Sequence, residues 1–148
     1  MKKIIIEEAK QSELSAILDL YALPDMDCGE VLSLSEASAI FEKINNYPNY
    51  KIYVAKENGK VIGTFSLLIV ENIIHQGHSS GLVESVVVHT NYRSLGIGKK
   101  MMEYAIQKCK EANCHKMSLS SRTIRERAHS FYERLGFKKH GYSFMIEL

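Results

Sequence analysis

The residues Val86-Val87-Val88-His89-Thr90-Asn91-Tyr92-Arg93-Ser94-Leu95-Gly96-Ile97-Gly98-Lys99 carry the strongest chemical pattern in this 148-residue chain. A β-branched run feeds a Gly-containing turn, and the turn opens a helical pattern. At such a junction successive backbone amides can converge on one anion, with the helix N-terminus adding a partial positive charge. The dipole contributes about 0.3–1 kcal/mol. Each hydrogen bond to a charged oxygen contributes roughly 1.5–3 kcal/mol, so the amides dominate. Gly96-Ile97-Gly98-Lys99 does not match G-x-x-x-x-G-K-[ST], residue 100 is Lys, and no third glycine follows at the dinucleotide spacing. A nucleoside triphosphate or nicotinamide ligand is therefore a poor fit. The same Gly-x-Gly also suits a turn that simply caps a helix.

Glu84, just before the valines, is a candidate general base, and equally an ordinary exposed strand carboxylate. His78 is a rival base on a polar loop, while His89 lies past the strand, at the phosphate end. His75-x-x-His78 could form half a metal site, but no Cys or carboxylate of suitable spacing accompanies it, so no metal is expected. Tyr132 shares a helix face with Ala128 and Phe131, which suits a core aromatic. No Ser-His-Asp arrangement is visible, and none of the three cysteines is placed as a nucleophile.

The elements around these residues read as β-α-α-β-β-β-α-β-α-β. Ile4–Ile6 is a short strand, and Leu14, Ile17, Leu18 and Tyr21 mark a helix. Ser33 and Glu36 have capping-box spacing ahead of a second helix. Asn58-Gly59 predicts a type I′ hairpin between Ile52–Ala55 and Val61–Val70. Ile73–Gly81 reads as a polar loop, and Leu82–His89 as a strand apolar on both faces, hence central. A helix from about Gly98, a strand at Met117 and Leu119, a helix from about Glu126 with a Schellman ending at Gly136-Phe137, and a last strand from Tyr142 to Leu148 follow.

Composition sets the frame. Length fits one domain over residues 1–148, with no repeat or linker. Nineteen Lys+Arg against 17 Asp+Glu gives +2, which makes no case for broad electrostatic binding of nucleic acid or membrane. Three cysteines without C-x-x-C spacing argue for a reducing compartment, and acids follow too soon after Met1 for a signal peptide, so a cytoplasmic location is expected.

Arg93-x-x-Gly96-x-Gly98 after a valine strand resembles the acetyl-CoA motif Q/R-x-x-G-x-G/A of the GNAT family of N-acetyltransferases. That family's second signature, A-x-x-F-Y-x-x-x-G-F, is matched by Ala128 through Phe137, and the element order agrees over nearly the whole chain. The resemblance implies a single-domain α/β GNAT-like fold, with a mixed central sheet of about six to seven strands flanked by about four helices.

It also implies acetyl-CoA as co-substrate. The amides of Arg93, Ser94, Leu95, Gly96, Ile97, Gly98 and Lys99 would cradle the pyrophosphate, and Val86 and Val88 would offer backbone groups to the pantetheine arm. Tyr132 would place its hydroxyl near the thioester sulfur, and Glu84 would act as base through water. Arg125 stands where relatives commonly have a pantetheine-binding Asn, and would put a cation near the 3′-phosphate or the substrate; Arg125 or Arg127 would lower the Tyr132 pKa. The segments 21–31 (Asp25, Asp27, Glu30) and 73–81 would border the acceptor, three acids suiting a cationic amine.

The implied reaction is direct acetyl transfer to a primary amine of a small molecule or peptide. Its alternative is a non-catalytic CoA-binding regulator or sensor of the same fold. Glu84 through Val88 followed by Asn91-Tyr92-Arg93 looks like the glucosamine-6-phosphate acetyltransferases, although the acid those enzymes use on the next strand is replaced here by Ser118, Ser120 and Ser121. A homodimer, through the last strands or a sheet-edge contact, is compatible with the sequence.

Overall fold

The structure, a computed structural model, describes residues 2–148. The chain falls into two compact units, the first ending at Ser118 and the second running Leu119–Leu148.

The first unit is built on five strands: β1 (Ile4–Glu8), β2 (Tyr50–Glu57), β3 (Lys60–Val70), β4 (Ser79–Val88) and β5 (Cys114–Ser118). They form one sheet in chain order, antiparallel from β1 to β4 and parallel between β4 and β5. A parallel pair needs a crossover, and the helix α3 (Ile97–Glu111) supplies it. The helices α1 (Leu14–Tyr21) and α2 (Leu34–Asn45) lie between β1 and β2 in sequence.

Tyr53 and Val54 are both buried, and consecutive strand residues point to opposite faces, so β2 is covered on both sides. Val54 packs with Leu14 and Ile17 of α1 and Phe41 of α2. Tyr53 stacks on Phe65 at 5.2 Å and meets Tyr104 of α3 edge-on at 5.3 Å. Helices therefore cover both faces of the sheet. Gly81 lies under α3, where a Cβ would collide with Cys109 Sγ.

Local signals are realised where they are strongest. Asn58 and Gly59 have φ of 50° and 80° and close a two-residue hairpin between Glu57 and Lys60. Ser33 accepts from the Glu36 amide while Glu36 accepts from the Ser33 amide, completing the capping box. In the second unit, α4 (Glu126–Arg134) ends with Gly136 at φ 96°; the Phe137 N–H donates to Tyr132 O and the Gly136 N–H to Glu133 O, the Schellman pattern.

Two expectations change. The sequence predicts a polar loop through Gly81, but β4 begins at Ser79, because Ser79–Leu82 pair with β5. The last strand, Tyr142–Leu148, does not form, so the described sheet has five strands instead of six or seven. Within its own unit that segment has no neighbouring strand to close its backbone hydrogen bonds, and alternation alone does not make a stable strand. Among the described residues no helix is long and apolar enough to cross a membrane.

Candidate active site

The parallel ladder between β4 and β5 stops at Leu82–Ser118. From Val83 to Val88 the β5 side of β4 has no strand partner among the described residues, leaving an open edge. A bulge shapes this edge. Thr64 pairs with Val87 and Ser66 with Glu84, so Ser85 and Val86 together oppose Phe65, and Ser85 takes φ 53°. The His89 N–H bonds Ile62 O of β3 at 2.8 Å. Alternation along an antiparallel pair then turns the backbone groups of Val88 and Val86 away from β3, toward the open edge.

The edge leads into the phosphate loop. His89 Nδ1 accepts from the Asn91 amide at 3.2 Å and Tyr92 packs edge-on against His89, fixing a 3-10 turn at Thr90–Tyr92. Ser94 and Gly96 have φ of 62° and 80°, and α3 starts at Ile97 behind a Gly96 that offers no capping side chain. The amides of Ile97, Gly98 and Lys99 have no intrahelical partner by position, and none elsewhere among the described residues. They form an anion-ready terminus on a 15-residue helix. Leu95 is exposed, and the Lys99 ammonium lies 3.8 Å from Glu103 in an exposed pair.

The Arg93 side chain does not extend freely to solvent. Its Nε donates to Val88 O at 2.9 Å, and its Nη2 donates to both Asp25 carboxylate oxygens at 3.1 and 2.9 Å. Asp25 is thus paired, and of the three acids in the loop between α1 and α2 only Asp27 and Glu30 remain for a cationic partner. Sequence reasoning missed this pairing, since nothing local marks a carboxylate 68 residues away.

Glu84 stands two residues beyond the end of the β4–β5 ladder, exposed, its carbonyl accepting from Ser66 Oγ and its carboxylate unpartnered among the described residues. Glu84, Val86, Val88 and the Arg93–Lys99 segment therefore follow one another along β4 and into α3. Tyr132 and Arg125 belong to the second unit, in the last turn and at the N-cap of α4. Burial raises the Tyr132 phenol above its ordinary pKa; Arg125 pulls it down as expected, but burial outweighs that pull.

The cysteines are poor nucleophiles where the structure buries them. Burial pushes Cys109 up to about 12 and also raises Cys114. His75 stacks on His115 at 4.1 Å, and His78 Nδ1 lies 2.8 Å from His75 O. Among the described residues no three His, Cys, Asp or Glu side chains converge to hold a metal.

The chain is similar to known proteins in sequence and in fold. The chain is 31% identical over 98 residues to a glucosamine 6-phosphate N-acetyltransferase of Trypanosoma brucei brucei, a match covering 66% of this chain and 65% of that protein. It is 30% identical over 97 residues to an aminoalkylphosphonate N-acetyltransferase of Salmonella typhimurium, covering 66% and 62%. These matches span a little under two thirds of the relatives' own length. The crystal structure of a transcriptional regulator from Bacillus halodurans C-125 superposes with a TM-score of 0.91 at 25% identity, covering 99% of this chain and 100% of that one. A family model described as the acetyltransferase (GNAT) family matches residues 14–137, across the boundary between the two units, and the chain belongs to that family.

Proposed function

We propose that this chain, as one domain over residues 1–148, is an acetyl-CoA-dependent N-acetyltransferase that moves the acetyl group directly to a primary amine of a small molecule or peptide. The observation that carries the reading is the continuity of an unpaired β4 edge with the unpartnered amides that open α3. An extended amide-bearing arm ending in a pyrophosphate matches both parts: the Val86 backbone and the Val88 N–H take the arm, the Val88 carbonyl being held by Arg93, and the Ser94–Lys99 amides take the anion.

The chemistry asks for a neutral amine and a stabilised leaving thiolate. An amine of pKa about 10.4 is neutral in roughly one part in 2,500 at pH 7, a penalty of about 4.6 kcal/mol. Glu84 removes the amine proton through water as nitrogen attacks the thioester carbonyl. The carbon–sulfur bond then breaks, and the Tyr132 hydroxyl donates to the departing sulfur. Arg125 supplies positive charge on the CoA side. The raised thiols of Cys109 and Cys114 fit a transfer without an acyl-enzyme.

The test is thiol release from acetyl-CoA against glucosamine 6-phosphate, an aminoalkylphosphonate and a lysine-ended peptide. We expect turnover with at least one amine, and a fall of about 10²-fold in kcat/KM for Glu84→Gln near pH 7. That loss should shrink as pH rises toward the amine's own pKa, where no base is needed. A loss independent of pH would remove Glu84 from the base role. The second reading, a CoA-binding regulator, is favoured by the likeness to the Bacillus halodurans protein; CoA binding with no turnover on any amine would select it.

The reading includes a cytoplasmic location, which suits three free cysteines, and a homodimer. Tyr142, Phe144, Ile146 and Leu148 alternate along an exposed segment with a strand's pattern and no ladder. A second copy would supply the missing neighbour. Sedimentation equilibrium checks this, and a monomer at micromolar concentration would refute it.

A further inference from the structure

The loop between α1 and α2 is folded on itself. The Asp27 N–H bonds Tyr21 O at 2.8 Å, the Gly29 N–H bonds Ala22 O at 2.9 Å and the Met26 N–H bonds Leu23 O at 2.9 Å, with Cys28 and Gly29 at positive φ to close the turn. Asp25 lies inside this turn, so its backbone is held by its own loop. On the opposite side, Arg93 is the residue at which the 3-10 turn after β4 gives way to the anion-binding loop. One guanidinium spans the two, reaching Asp25 through Nη2 and the Val88 carbonyl through Nε.

We propose that Asp25 and Arg93 are positioning residues, a latch that joins the α1–α2 loop to the phosphate loop and aims Arg93 so that Val88 and the amides behind it stay ready for CoA. The proposal rests on the CoA-binding reading above. Arg93 acts here through its side chain on its own protein, in addition to any contact of its amide with a phosphate. Lysine cannot replace it, because an ammonium lacks the planar fork that reaches a carboxylate and a carbonyl together. The latch also binds the elements bordering the two sides of the reaction, so what fixes one fixes the other.

Electrostatics and positioning predict opposite signs for one substitution. Asp25→Asn removes a negative charge near the site of a polyanion, and by Coulomb's law alone CoA should bind equally well or more tightly. If Asp25 positions Arg93, the same change weakens CoA. Both side chains are more than a third exposed, so the pair adds little to global stability and the variant should fold.

The experiment is calorimetric titration of the full chain with CoA. Wild type, Asp25→Asn, Asp25→Glu and Arg93→Lys are compared, with urea midpoints recorded for each. The expected result is a roughly 5- to 20-fold weaker Kd for Asp25→Asn and Arg93→Lys, with most of the affinity recovered in Asp25→Glu and urea midpoints close to wild type. Unchanged or tighter CoA binding by Asp25→Asn overturns the latch. So does weakening that follows a matching loss of stability. Failure of wild type to bind CoA is a different outcome: it overturns the CoA reading itself, and the latch with it.

Discussion

Tyr132→Phe is expected to lower kcat by about 10²-fold while leaving KM for acetyl-CoA within about threefold. The substitution keeps the ring. Tyr132 lies 5.1 Å from Phe131 and 5.5 Å from Phe137 between ring centroids, and its carbonyl receives the Phe137 N–H, so packing and the helix ending survive. The hydroxyl has no hydrogen-bond partner among the described residues, so its loss orphans nothing there. An ordinary phenol of pKa about 10 giving its proton to a thiolate near 8.5 is uphill by roughly 2 kcal/mol. Burial raises the Tyr132 phenol further, which makes full transfer still less favourable. It also keeps the group protonated, and therefore a donor, past the pH at which a free tyrosine ionises. Hydrogen-bond donation to developing negative charge is what remains, and such a contact strengthens only as the thiolate forms. That places the loss in kcat and not in KM. Steady-state kinetics on acetyl-CoA settle it: an unchanged kcat removes Tyr132 from the reaction, and a raised KM alone makes it a binding residue.

Much of the fold was legible because its signals are local. Asn58-Gly59 needs two positive φ angles that these residues tolerate, Ser33 and Glu36 satisfy each other's amides, and Gly136-Phe137 ends a helix. Each involves groups within five residues, and each formed as expected. The valine run announced a strand, and β4 formed, but along Val86–Val88 only β3 pairs with it among the described residues, so the strand is not central where the valines lie. Three features lay outside this reach. Ser85 takes a left-handed φ at a bulge created by the register of β3 against β4, and nothing in its type distinguishes it from other serines. Asp25 finds Arg93 only once α1 and β4 are packed in one unit, so its carboxylate read as a free acid of the acceptor loop. The segment Tyr142–Leu148 has a strand's alternation, but a strand is a property of a pair, and its own unit offers no partner. The candidate site was legible to the extent that backbone amides carry it, since glycine spacing reports backbone shape. Side-chain pairing between distant elements leaves no such trace.

Gly96 is where backbone shape bears most directly on binding, and Gly96→Val is expected to raise the Kd for CoA by roughly 10- to 10²-fold. Gly96 sits at φ 80° immediately before α3, the left-handed conformation that aligns the end of the loop with the first amides of the helix. A Cβ built there meets nothing within 4 Å, so the effect does not arise from crowding. It arises from the torsion angle: an L-residue in this region is strained by about 1–2 kcal/mol, and a β-branched one is least tolerated. The chain relieves that strain by rotating the Gly96 peptide, which turns amides away from the anion. Loss of one charge-assisted hydrogen bond, about 1.5–3 kcal/mol, gives the stated range. Gly96→Asn separates this account from its rivals. Asparagine adds a Cβ and a polar group but visits the left-handed region far more readily than valine, so its Kd should stay within a few-fold of wild type. Titration with CoA and with inorganic pyrophosphate reads both variants, and valine should weaken the two ligands by similar factors because the shared anion is what the amides hold. If asparagine is as damaging as valine, the glycine is needed for space beside the ligand and not for its backbone angle. If valine binds CoA as well as wild type, the loop ending at α3 does not hold the pyrophosphate.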